Sequence, residues 1–269
     1  MAWIHPVTSG DYRIMGVTVD TFQAVSSSIA VYNTNVNTDI TNNAPDLNAL
    51  GHTWKAYAST STTAASDNLD NWNGAYYRTD GSIIGDGQVL TNAPTFTNAI
   101  TYHTDGTSTG SISPWTGSFS GGRIHPTNPL GTSSSHAGRT DQTSYLWSAW
   151  TNITNTNYVP LFASSETIST IGGSISGTLS RESANIWAVG AITLTADVDF
   201  GGTVDIVEAL DAGQTPTIDF AGFTLSVGSE GTAPAGWKIA PTSFKVRDTG
   251  TGNVILNATN EAAGGILYT

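Results

Sequence analysis

No cysteine occurs in the chain, which excludes disulfide bridges, thiolate metal sites and a cysteine nucleophile. Positive charge is scarce: nine Lys and Arg stand against 21 Asp and Glu, a net charge of −12. Nucleic-acid binding needs clustered Lys and Arg to displace phosphate counterions, and no cluster exists, so nucleic acid is not an expected partner. The same balance disfavours anionic membrane surfaces. No apolar run reaches the length of a transmembrane span, so membrane insertion is not expected. The opening residues, Met-Ala-Trp-Ile-His-Pro, lack a basic stretch followed by an apolar core, so no secretory signal is expected there.

What is present is hydroxyl and amide. Charged residues make up only 11%, so solubility rests on Ser, Thr and Asn, whose alternation with short apolar runs suits β-structure with elaborate loops. A hydrophobic content of 38% that includes eight Trp argues for folded domains rather than disorder.

Three regions differ in texture. Residues 1–44 contain Asp11–Val19 and Ser28–Tyr32, both of which read as strands, and then the Asn/Thr-rich Asn33–Asn43; this is the expected N-terminal β or attachment segment. Residues 45–165 carry five of the eight Trp and no Glu. From Glu166 the chain turns to regular β-runs, Ala191–Phe200, Thr203–Val207 and Thr217–Val227, as in a β-sandwich or a β-solenoid. Ser243–Asn257 reads as a hairpin around a Gly-rich turn. Domains are therefore expected at 1–44, 45–165 and 166–269, in a mainly β chain.

The most informative stretch is Thr53–Gly74, TWKAYASTSTTAASDNLDNWNG. Strand alternation puts Trp54, Ala56 and Ala58 on one face and Lys55, Tyr57 and Ser59 on the other. Thr62 or Thr63 is expected to cap a short helix through Ala64, Ala65 and Leu69. Tyr76–Ile84 follows, with Asp80-Gly81 as a hairpin signal. These segments, with Trp115-Thr-Gly, Leu146-Trp-Ser-Ala-Trp and Pro160-Leu-Phe-Ala after them, resemble a bacterial extracellular domain of largely unknown function. That family reads W-K-A-W-L-S, a D-G turn, V-W-T-G, a tryptophan-serine segment and a final L-Y-C-F-E strand. The family is similar in arrangement to the C-type-lectin and endostatin fold. The resemblance covers residues 45–165 and implies a small α+β C-type-lectin-like central domain in which Trp54, Trp115, Trp147 and Trp150 are core residues. The chain departs from it in having none of the family's two to four cysteines, with Phe162 where a cysteine-flanked aromatic strand is expected. Loss of those bridges fits a protein assembled before it meets an oxidising space, with stability drawn from oligomer contacts.

No constellation in the sequence carries chemistry. Calcium-dependent sugar binding in C-type lectins uses a Glu-Pro-Asn or Gln-Pro-Asp loop and a Trp-Asn-Asp strand; here Ala44-Pro45-Asp46 and Trp72-Asn73-Gly74 stand instead. His103 and Asp105 could share a metal, but a loop histidine beside a turn aspartate is the plainer account. Gly117–Gly121 places Phe at the nucleophile position of an elbow. Ser133–His136 with Asp141 is chance proximity in a Ser-rich chain, and the strand pair Asp197/Asp199 reads as a solvated edge rather than a glycosidase dyad. Neither catalysis nor a metal nor a cofactor is expected. What remains is a stacking surface: sugars lie with their C–H faces on aromatic rings while amides bridge their hydroxyls. Trp72, Asn73, Tyr76, Tyr77, Tyr102 and His103 fall in or near predicted loops and form the expected ligand-binding set.

An extracellular style of surface without an export signal suits a virion protein released by host lysis. The expectation is therefore a bacteriophage virion structural protein, a tail, fibre or capsid-decorating component displaying a lectin-like domain. Its expected partners are other virion proteins, further copies of itself with a trimer favoured, and a host-surface glycan. A secreted bacterial lectin or adhesin shorn of its signal is the alternative, and a polysaccharide depolymerase with sites assembled across subunits is the third.

Overall fold

The computed structural model describes residues 10–86, 96–179, 185–200, 205–209, 217–219, 225–227 and 245–247. They are mainly β. The chain divides into two compact units, one of Met1–Pro6 with Tyr12–Glu166 and one of Val7–Asp11 with Thr167–Thr269.

In the first unit the apolar run of β1 (Gly10–Val17) supplies the centre, with Ile14, Met15 and Val17 fully buried. β1 pairs in parallel with β3 (Ala75–Tyr77) and, further along, antiparallel with β9 (Phe162–Ser165). β9 in turn pairs antiparallel with β2 (Trp54–Ala56). β3 and β4 (Ile83–Asp86) are antiparallel, and the turn between them closes at Asp80-Gly81 as the sequence indicates, Gly81 taking a positive φ of 81°. Trp147 anchors the core, its ring centroid 4.4 Å from Tyr57, 4.7 Å from Phe96 and 5.5 Å from Phe162. Trp54, Ala56 and Ala58 are buried as expected; Tyr57 is buried as well, so both faces of that segment are covered.

The segment after Ser28 is not a strand. Ile29–Asn43 forms helix α1 in spite of its β-branched and amide content. Its buried residues, Tyr32, Val36, Asp39 and Ile40, recur at helical spacing, and tertiary burial of that face outweighs propensity. The helix stops at Ala44 because Pro45 follows and opens α2 (Pro45–Asn48).

Helix α1 also completes the sheet edge that β2 leaves unpaired. Asn37 accepts from the Trp54 N–H at 2.9 Å and donates to the Trp54 carbonyl at 2.5 Å. Asn33, one turn earlier, accepts from the Ala56 N–H at 2.9 Å. Asn68 of α3 (Ala65–Asn68) donates to the Ala56 carbonyl at 2.8 Å and pairs with Asn33. Three amides thus replace a neighbouring strand. The cap of α3 is a second departure from expectation: the Ala65 N–H donates to Ser59 Oγ at 2.9 Å, and neither Thr62 nor Thr63 caps it.

Asp39 is fully buried on α1. Its carboxylate accepts from the Asp20 N–H at 2.8 Å, from Asn43 Nδ2 at 2.9 Å and from Thr104 Oγ1 at 2.8 Å. Desolvation pushes its pKa above the ordinary value, and those hydrogen bonds oppose the rise.

In the second unit every described strand pair is parallel. β10 (Ile168–Leu179) lies along β11 (Asn185–Phe200), with Ser169 beside Ile186 and Leu179 beside Phe200, a step of 17 residues widening to 21. β12 (Asp205–Ala209) pairs with the start of β11, Asn185 facing Asp205. β13 (Thr217–Asp219) and β14 (Leu225–Val227) pair further along it. β15 (Lys245–Arg247) pairs in parallel with β13; the rest of the expected hairpin over Ser243–Asn257 lies outside the described residues.

Candidate functional site

Of the expected ligand-binding set, Tyr76 is buried, Trp72, Tyr77, Tyr102 and His103 are half-buried and Asn73 is exposed. Tyr76, in the middle of β3, points inward and is 1% exposed, packed in the core with Met15, Leu69 and Trp147. Its place on a strand with one buried face removes it from any contact surface. Tyr77, its outward neighbour, is half-buried and meets Tyr12 edge to face at 5.6 Å. Trp72 is half-buried: the Arg13 guanidinium lies 5.0 Å from its ring centroid, and Gly74 leaves room for the ring where a Cβ would collide with it. Asn73 is exposed beside it. The preceding turn has Asp70 and Asn71 at positive φ, 58° and 49°, a conformation that Asp and Asn tolerate better than other side chains. Asp70 takes Lys55 at 2.7 Å and Arg13 at 3.6 Å.

Tyr102 has the Arg78 guanidinium 4.9 Å from its ring centroid, and Arg78 is itself held by both carboxylate oxygens of Asp80. That grip lowers the Asp80 pKa against the opposing effect of burial. His103 Nδ1 lies 3.0 Å from the Thr18 carbonyl, to which it donates, while Asp105 accepts from Thr107. His103 and Asp105 therefore serve separate local contacts. Trp72, Tyr77 and Tyr102 thus each already carry a ring or a guanidinium.

A second surface, absent from the sequence expectation, is built from two hairpins. The first joins β5 (Ser118–Phe119) to β6 (Arg123–Ile124) through a Ser-Gly-Gly turn. The second pairs β7 (Ser134–Ala137) with β8 (Thr151–Thr154), placing His136 opposite Asn152. Phe119 is 46% exposed at the first hairpin and Trp150 42% exposed at the foot of the second. The Phe119 ring meets His125 edge to face at 6.0 Å, and His125 stacks on His136 at 4.3 Å with 25° between the planes. Trp150 was expected in the core; it lies outside because its backbone N–H closes the hairpin on the Ala137 carbonyl while the ring receives Arg139, 4.6 Å from its centroid.

Hydrogen bonds fix the two imidazoles. His125 Nδ1 accepts from the backbone N–H groups of Asn128 at 3.0 Å and Thr127 at 3.3 Å, so its proton sits on Nε2. His136 Nδ1 is 2.6 Å from the Asn152 side-chain oxygen and donates to it. Burial, and then the neighbouring His136, hold the His125 pKa below the ordinary histidine value. At the Trp150 end, Asp141 accepts from Arg139 Nε at 2.7 Å and Nη2 at 2.9 Å, and Arg139 holds its pKa down to about 2. At the Phe119 end, the Arg123 guanidinium lies 5.7 Å from the ring centroid and its Nε donates to the Ser120 carbonyl at 3.2 Å.

This arrangement can stack and hydrogen-bond a ligand; it shows no nucleophile with a base. Asp141 is engaged by Arg139 and His136 by Asn152, so Ser133, His136 and Asp141 do not assemble a triad. Among the described residues no three His, Cys, Asp or Glu side chains converge as metal ligands. The signal for the second surface was present but faint: Phe119 stands alone in a Ser/Gly tract with no alternating apolar partner, which marks an aromatic at a turn rather than in a core. Compared with protein-family models and with curated proteins, the chain matches no family and no relative.

Proposed function

We propose that the chain is a bacteriophage virion structural protein, a tail, fibre or capsid-decorating component. Its first unit, in this reading, is a C-type-lectin-like display module that contacts a surface glycan without catalysing a reaction. The observation that carries the proposal is the strip from Phe119 through His125 and Asn152 to Trp150, laid over the buried His136. Its two ends are exposed aromatic rings, each with a guanidinium against it, and its middle offers amide and imidazole groups. Aromatic faces flanked by fixed polar groups are what a pyranose ring needs. The contact surface is thereby assigned to Phe119–Trp150 rather than to Trp72–His103.

The second unit supports the particle-bound half of the reading. A chain whose parallel partners recur at steps of 17 to 21 residues between β10 and β11, with only five residues between those strands, returns on itself as a β-solenoid does. Such a parallel strand array suits a fibre or a decoration.

Glycan-array binding followed by titration calorimetry tests the proposal. Trp150→Ala should weaken the best glycan about thirtyfold, as expected for an aromatic anchor worth about 2 kcal/mol, with the unfolding midpoint unchanged. Light scattering on the same sample should return a trimer or larger ring. A monomer that binds glycans would favour a free-standing lectin, and reducing ends released from host capsule would overturn the non-catalytic reading.

A further inference from the structure

The strip is not electrically symmetrical, and the asymmetry bears on what it takes. Residues 12–166 contain five cationic side chains, Arg13, Lys55, Arg78, Arg123 and Arg139. Four of them lie within ion-pair distance of a carboxylate: Arg13 and Lys55 share Asp70, Arg78 holds Asp80 and Arg139 holds Asp141. Arg123 has no carboxylate partner among the described residues. Its Nε is spent on the Ser120 carbonyl, and no described acceptor takes its Nη1 or Nη2 hydrogens. The Phe119 ring orients the guanidinium from its face without neutralising it. In a chain of net charge −12, this is an oriented, uncompensated fork of donors beside an exposed aromatic ring.

A planar guanidinium presenting two free terminal nitrogens matches the two oxygens of a carboxylate. We infer that the Phe119 end of the strip is the acid-sugar subsite, in which Arg123 grips the carboxylate of a uronic- or sialic-type residue while the sugar's apolar face lies against the uncovered part of Phe119. Trp150, whose arginine is already neutralised by Asp141, takes the adjoining uncharged sugar. The inference rests on the glycan-contact reading above and adds the class of glycan to it.

The test uses the full chain, an oligogalacturonide and the same oligosaccharide with its carboxyls methyl-esterified. Acid should bind about tenfold more tightly than ester, the worth of one charge-assisted bidentate contact at about 1.5 kcal/mol. Arg123→Gln should erase that preference, leaving acid and ester bound equally, and leave the thermal midpoint unchanged, because the side chain is exposed. Arg123→Lys, a cation without the fork, should keep only part of the preference. Equal affinity for acid and ester in the unmodified protein, or an unchanged preference in Arg123→Gln, would overturn the acid-sugar subsite while leaving glycan contact standing. Tighter binding of a phosphorylated oligosaccharide than of the uronate would overturn it in favour of a phosphate group. If neither acid nor ester nor any arrayed glycan binds, the functional reading itself falls and this one with it.

Discussion

Two residues show how single side chains set the properties of the first unit. Asp39 is a buried carboxylate whose three donors come from the loop after β1, from its own helix and from the loop at Thr104. Asp39→Ala should cost about 3 kcal/mol in urea unfolding, since it strands the buried Thr104 hydroxyl and takes the acceptor from the Asp20 N–H and the Asn43 amide. His125 contributes to the response to acid, as does His52, whose burial lowers its pKa in the same way. The folded pKa of His125 is depressed below 6.5, and protonation is therefore easier in the unfolded chain. The stability this contributes is full above pH 6.5 and is lost as the pH falls through the folded value. The unfolding midpoint should drop over that range, and His125→Asn, whose side-chain oxygen can still accept from Thr127 and Asn128, should flatten the drop.

At the scale of elements, the clasp of Asn33, Asn37 and Asn68 around β2 decides how an unpaired edge is protected without a further strand. Edge strands invite intermolecular pairing, and amide side chains remove the invitation here. Asn37→Ala should destabilise the unit by about 2 kcal/mol through two lost contacts to buried backbone groups. Hydrogen exchange at the Trp54 amide should accelerate selectively, whereas a merely global loss would speed the core strands equally. The same clasp explains what could and could not be seen in the sequence. β1, the Asp80-Gly81 turn and the buried Trp54-x-Ala56-x-Ala58 face follow from alternation and turn chemistry, which are local. Helix α1 was hidden because Asn33 and Asn37 look like loop residues until Trp54 and Ala56, some twenty positions later, supply their partners. The proposed contact strip was hidden for a similar reason: Phe119, His125 and His136 stack only after two hairpins have formed, and no spacing along the chain announces it. Tyr76 misled in the opposite direction, since an aromatic pair after Asn73-Gly74 reads as a loop although it lies on the strand that feeds the core.

For the molecule as a whole, sparse charge with a net value of −12 makes the long-range field and the local contact work in opposite directions. An acidic saccharide approaching from a distance meets repulsion, and only at contact does Arg123 attract it. Added salt screens the first interaction over the Debye length, about 10 Å at 0.1 M. Association should therefore quicken with ionic strength while dissociation quickens too, as the carboxylate contact weakens. Biolayer interferometry at rising sodium chloride separates the two rates. An association rate that fell instead would mean that the patch around Arg123 controls the approach as well as the grip.

The parallel register of the second unit has a consequence for how such a protein changes over generations. From β10 onward the described strands pair with one another, Ser169 with Ile186 and Asn185 with Asp205, while β10 also bonds back to Gly10 and Asp11 of β1. A tandem duplication in the gene spanning one such interval would add a layer while leaving earlier pairings in place. A frame-preserving loss of one or two codons inside a strand would put every later partner out of phase. Length is thus the trait most open to selection in this part of the protein.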